Sequence, residues 1–146
     1  MEHFFENVYV NKGLLMVVFE EVCDKYHITL TEMMILLYLK QHQDLNTAKD
    51  IVHKLRIAKS HISTSIHNLE IRGFIRGTYD EQNRRTIHLC LCECAYEVIK
   101  EGEKYRDMFS SIILKDFTEE ETNKLKSYIQ KMILNANSYL EKSNNH

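Results

Sequence analysis

Apolar side chains at Phe4, Phe5, Val8, Leu15, Val18, Phe19 and Val22 recur at the spacing of one helical face, which predicts a first long helix over 4–25. Thr29 followed by Glu32 has the form of a capping box, in which each side chain satisfies a backbone N–H left over at a helix start. The apolar run 33–39 follows at once and predicts a second, buried helix. Thr47 with Asp50 repeats the signal and opens a helix of about nine residues carrying Ile51, Val52 and Leu55. A break at 56–58 separates it from 59–71. There Ile62, Ile66 and Leu69 mark a buried face, and Ser60, His61, Ser63, Thr64 and His67 the opposite one. Gly73 ends that helix as a left-handed cap.

Beyond Gly73 the period shortens to that of a strand. Residues 74–79 and 86–91 read as two strands joined by the polar tip 80–85, with Ile87, Leu89 and Leu91 sharing one face. Helical spacing returns over 93–115, and Thr118 with Glu121 caps a last helix whose apolar positions run from Leu125 to Leu140. The fold class is therefore mostly α with a small β-hairpin wing: a winged helix-turn-helix over 29–92, flanked by helical regions 1–28 and 93–146.

Composition narrows the function classes. With 146 residues the chain builds one compact unit, or a small domain with helical extensions. The strongest apolar stretches, 14–19 and 33–39, fall short of the roughly 20 residues that span a bilayer. The first residues carry Glu2 and Glu6 and no positively charged leader, so the expectation is a cytoplasmic protein without a membrane segment or secretory signal. Cys23, Cys90, Cys92 and Cys94 are spaced for free thiols, since three of them alternate within five residues. Neither C-x-x-C nor H-E-x-x-H is present, so no metal or cofactor is called for. The sequence also lacks a Gly-rich phosphate loop and a G-x-S-x-G elbow, and an enzyme is not expected.

Net charge is −2, but its distribution is uneven. Between Thr47 and His88 stand eight Lys or Arg against four Asp or Glu, so that window is +4 and the rest of the chain −6. Concentrated positive charge attracts phosphates, whose released counterions drive binding to double-stranded DNA. A helix entering the major groove needs short polar side chains toward the base edges, which Ser60, His61, Ser63 and Thr64 provide. Lys59 and the free N–H groups at the helix start suit phosphates. Thr47 and His67 complete the DNA-binding candidates on the two helices. At the hairpin tip, Arg84 and Arg85 can reach a narrow minor groove, with Asp80 and Asn83 supporting the wing.

The stretches Leu55-Arg56-Ile57-Ala58-Lys59-Ser60-His61-Ile62-Ser63, Leu69-Glu70, Gly73-Phe74-Ile75, 80–85 and Leu91-Cys92-Glu93 resemble the MarR family of bacterial transcription regulators. The resemblance implies that 59–71 reads the major groove and that the wing, 79–85, supplies an arginine to the minor groove. It further implies that the helices 4–25, 93–115 and 118–140 build a homodimer, making 1–28 and 93–146 dimerisation regions. The implied function is a sequence-specific repressor on a pseudo-palindromic operator, with recognition helices about one DNA turn apart. Relief by a small aromatic effector is also implied, with Tyr9, Phe19, Tyr26 and Tyr38 as candidate pocket residues; taken singly, each of these aromatics reads more readily as core or interface.

Four positions depart from the family pattern. Ala58 stands where a serine usually caps the recognition helix, Asn83 replaces the usual aspartate, and Cys92 and Cys94 stand where threonine and lysine are common. Two other readings stay open. One is a thiol-responsive regulator using Cys90, Cys92 and Cys94, although the position matching the family's sensing cysteine is Phe5. The other is a winged protein-interaction module that binds no DNA, against which the arginine-tipped hairpin argues.

Overall fold

In the computed structural model, which describes residues 1–144, the chain runs α1 (Glu2–Tyr26), α2 (Leu30–Gln41), α3 (Ala48–Leu55), α4 (Lys59–Ile71), β1 (Ile75–Tyr79), β2 (Ile87–Leu91), α5 (Ala95–Ile113) and α6 (Glu119–Ser143). Six helices and a two-stranded antiparallel hairpin give the expected winged class. The last two residues of the expected 93–146 region, 145 and 146, lie outside the described residues. Contacts divide the chain into two compact units, 1–109 and 110–146, with the boundary inside α5.

In the first unit, α2 is the central element. Met33, Ile35, Leu36, Leu37, Tyr38 and Leu39 are all buried, so this helix meets neighbours on nearly every side. Val18, Phe19, Val22 and Cys23 of α1 reach it from one direction, Ile51 of α3 and Ile62, Ile66 and Leu69 of α4 from another, and Ala95, Val98 and Ile99 of α5 close the cluster. The core thus continues across the 28/29 and 92/93 positions expected as domain boundaries. Those positions mark a change of element and not a break in packing. Gly102 lets α5 approach closely: a Cβ there would lie 2.6 Å from Met33 Sδ.

Local rules set the ends of the elements. Both Thr29–Glu32 and Thr47–Asp50 form reciprocal capping boxes. At the end of α4, Gly73 takes φ 73°, Gly73 N–H donates to Glu70 O and Phe74 N–H to Leu69 O, the paired bonds of a Schellman motif. The hairpin registers Ile75 with Leu91, Gly77 with Leu89 and Tyr79 with Ile87. Its inner face buries Ile75 and Leu89 and leaves Tyr79 and Ile87 exposed where the wing leaves the core. A further bond, Leu89 N–H to Asn46 O at 2.9 Å, ties the turn before α3 to β2, and His88 Nδ1 lies 2.6 Å from Asn46 Oδ1.

In the second unit, Thr118 and Glu121 form a third capping box at the start of α6. The apolar positions of this helix, among them Tyr128, Ile129, Met132, Ile133, Tyr139 and Leu140, are exposed along its length.

Candidate nucleic-acid interface

The helix-turn-helix is made by α3, a three-residue turn and α4. Arg56 closes α3 in the left-handed conformation with φ 55°, turning the chain sharply enough for α4 to start three residues later. Thr47 is fully engaged at the front of α3: Oγ1 accepts Asp50 N–H at 3.2 Å and donates to Asp50 Oδ2 at 2.7 Å. Its hydroxyl proton is spent on the cap. Ala58 precedes α4 without any side-chain cap, unlike the three helices that begin with threonine.

On α4, Ile62, Ser65, Ile66 and Leu69 are buried, and Lys59, Ser60, His61, Ser63, Thr64 and His67 are exposed. Ser60, Ser63, Thr64 and His67 follow one another at three- and four-residue steps and so share one stripe, with His61 along its edge. Thr64 differs from the others in that its hydroxyl donates to Ser60 O at 3.0 Å, so it points back along the helix and does not face outward as a donor. Asn68 Nδ2 reaches Oε1 of the buried Glu32 at 3.4 Å and joins α4 to α2.

One of the eight basic residues in the positive window has a different task. Arg72 donates through one guanidinium nitrogen to His27 O and through the other to Tyr26 O at 2.6 Å, while the group lies 4.9 Å from the Phe74 ring centroid. It binds the end of α1 to the end of α4. Sequence reasoning counted its charge toward DNA and missed this role, because its partners lie 45 and 46 residues away.

Hydrogen bonds within the wing tip fix its shape. Asp80 Oδ1 accepts Gln82 N–H at 3.0 Å, and Asn83 Oδ1 accepts Arg85 N–H at 3.1 Å, two local turns that short polar side chains favour. Asn83 also donates from Nδ2 to Thr86 Oγ1 at 3.1 Å, a bond an ionised aspartate could not make. Asp80 and Asn83 thus hold the backbone while Arg84 and Arg85 project into solvent. At the base, a Cβ on Gly77 would fall 2.8 Å from Ile87 Cγ2, so glycine allows the strands to close there.

The four candidate pocket aromatics do not converge. Phe19, 1% exposed, and Tyr38, 5% exposed, line a cavity of about 200 Å³ together with Met34, His42, Lys54 and Arg106. Tyr38 also donates to Leu45 O at 2.6 Å and stacks on His42. Tyr9, by contrast, is 74% exposed far along α1, and Tyr26 sits beneath Lys25, whose ammonium is 5.2 Å from its ring centroid. Tyr9 and Tyr26 are not among the residues that line this cavity.

All four cysteines are free thiols. Cys90 lies near Thr78 Oγ1 at 3.9 Å, Cys92 uses its backbone N–H to bond Phe74 O, and the exposed Cys94 donates to Gly73 O at 3.1 Å. Burial, with lesser contributions from the charges of Asp24 and Glu32, pushes the Cys23 thiol up to about 11. Among the described residues, no three His, Cys, Asp or Glu side chains gather as metal ligands. None of the described helices is long and apolar enough to cross a membrane.

Residues 28–87, spanning α2 to the start of β2, match the model of the MarR family. Over those residues the chain is similar to the MarR family. Solved structures of similar fold include a Staphylococcus aureus MepR–DNA complex, at 20% identity and TM-score 0.75 over 93% of this chain and 96% of that one. A MarR protein from Peptoclostridium difficile superposes with TM-score 0.85 at 15% identity, covering 97% of this chain and 92% of that one. A putative MarR-family regulator from Listeria monocytogenes, complexed with 26mer DNA, gives TM-score 0.83 at 19% identity over 95% and 93%. No curated relative matches the chain by sequence. The likeness to these structures extends the MarR fold beyond the matched domain to the flanking helices.

Proposed function

We propose that this protein is a non-catalytic, cytoplasmic transcription regulator of the MarR type that binds duplex DNA as a homodimer and represses from a pseudo-palindromic operator. The observation that carries this reading is the exposed polar stripe Ser60, Ser63, Thr64 and His67 on α4, carried with an arginine-tipped hairpin in a window of charge +4. Lys59 and the uncapped N–H groups of α4 would hold phosphates, and Arg84 and Arg85 would enter the minor groove. Two similar folds were solved with DNA, which supports the choice of partner. Dimerisation is supported by apolar side chains that this chain leaves in solvent, Phe4, Phe5, Val8 and Tyr9 on α1 and Tyr128, Ile129 and Met132 on α6. The cavity beside Phe19 and Tyr38, with Lys54 and Arg106 at its wall, is of a size for a small aromatic effector.

Selection of bound sites from random duplexes tests the reading. The expected product is a palindromic consensus. Replacing both Arg84 and Arg85 with alanine weakens binding across sequences and flattens its salt dependence, whereas Ser63→Ala shifts site preference. A protein that stays monomeric and shifts no duplex at low ionic strength overturns the proposal.

A further inference from the structure

We infer that Thr64 reads a thymine in each half-site through its methyl group and not through its hydroxyl; this rests on the DNA-binding reading above. Thr64 lies on the outward stripe of α4 and is exposed. Its Oγ1 nevertheless donates to Ser60 O at 3.0 Å. A hydroxyl has a single proton, so this bond uses the donor, turns the oxygen toward the helix and leaves the γ-methyl as the group offered to the groove. The β-branched side chain has few alternative rotamers, which keeps the methyl in place.

The rest of the helix leaves this contact little competition. Lys59–Ile71 contains no arginine or glutamine to bridge a base edge. Its one asparagine, Asn68, directs its amide nitrogen inward to Glu32, 4% exposed, and loses the donor half of the fork that recognises adenine. With Lys59 assigned to phosphate and Glu70 Oε1 lying beside Gly77 of the wing, direct readout by α4 is left to single hydrogen bonds from Ser60, His61, Ser63 and His67 and one apolar contact. In the major groove, the apolar feature that distinguishes one base is the C5 methyl of thymine.

The test combines two nearly isosteric variants with a DNA change that removes only that methyl. Wild type, Thr64→Val and Thr64→Ser are titrated by fluorescence anisotropy against the selected site, and against copies in which each thymine is replaced in turn by uracil. One uracil position per half-site weakens wild type and Thr64→Val about four-fold, the value of one buried methyl. Thr64→Ser is weakened by a similar factor on the thymine duplex and is indifferent to uracil there. Urea midpoints close to wild type establish that both variants are folded, and the uracil series needs no variant at all. Thr64→Ser binding like wild type, Thr64→Val losing as much as Thr64→Ser, or wild type indifferent to every uracil overturns the inference and leaves the DNA-binding reading intact. Failure of wild type to bind any duplex overturns both.

Discussion

Ala58→Ser should stabilise the protein. Ala58 holds φ −52° and ψ 137°, an extended conformation a serine adopts without strain, and Ile62 N–H already donates to its carbonyl as the first bond of α4. The N–H groups of Lys59, Ser60 and His61 precede that bond, and no side chain caps them. A serine Oγ would accept from His61 N–H as Thr29 accepts from Glu32 N–H at 3.1 Å. Such a cap stabilises by about 1 kcal/mol. With a urea m-value of roughly 2 kcal/mol/M, the midpoint should rise by about 0.5 M at unchanged slope, and Tm by roughly 3–5 °C. Thr29→Ala, which removes an existing cap, should lower stability by a comparable amount and calibrates the scale. Should Thr29→Ala fall as expected while Ala58→Ser fails to rise, the start of α4 already has partners as good as a cap, and the reasoning is wrong.

Arg72→Ala removes two charge-assisted bonds to Tyr26 O and His27 O and the stacking on Phe74. Solvent exposure discounts these contacts to about 2 kcal/mol in all; urea titration should find that loss for Arg72→Ala and almost none for Arg84→Ala. Cys23 contributes a pH dependence of definite sign. The native thiol holds its proton to about 11 against a reference of 9.0, so the associated stability is intact below pH 9.0 and is lost as pH rises toward 11. Urea midpoints at pH 8 and pH 10.5 should fall further in wild type than in Cys23→Ala; equal falls would refute the assignment.

Residues whose partners are close in sequence were legible before any coordinates. The expected helix 59–71 coincides with α4, three threonine-led boxes start α2, α3 and α6, and Gly73 terminates α4, because caps and periodicity depend on neighbours within a turn or two. The pairs that fix the candidate site across the chain were not. Arg72 with Tyr26 and His27, Asn46 with His88 and Glu32 with Asn68 form only when the helices pack, and no local pattern marks them. The outward stripe of α4 followed from its spacing, but the direction of the Thr64 hydroxyl did not, since a rotamer choice leaves no trace in residue type. That Phe19 and Tyr38 line one cavity was not legible for a related reason: it depends on the packing of α1 on α2, which spacing along either helix does not encode.

The planar fork of Arg72 takes hold of two consecutive carbonyls where α1 ends and His27 turns left-handed at φ 52°. Swivelling α1 against α4 would stretch both bonds at once, so the guanidinium resists that movement. The 25 residues of α1 make a rod of roughly 37 Å, and that rod is a lever arm. Its inner end is joined to the helix bearing Ser60, Ser63 and Thr64 both by this guanidinium and by the core the two helices share on α2.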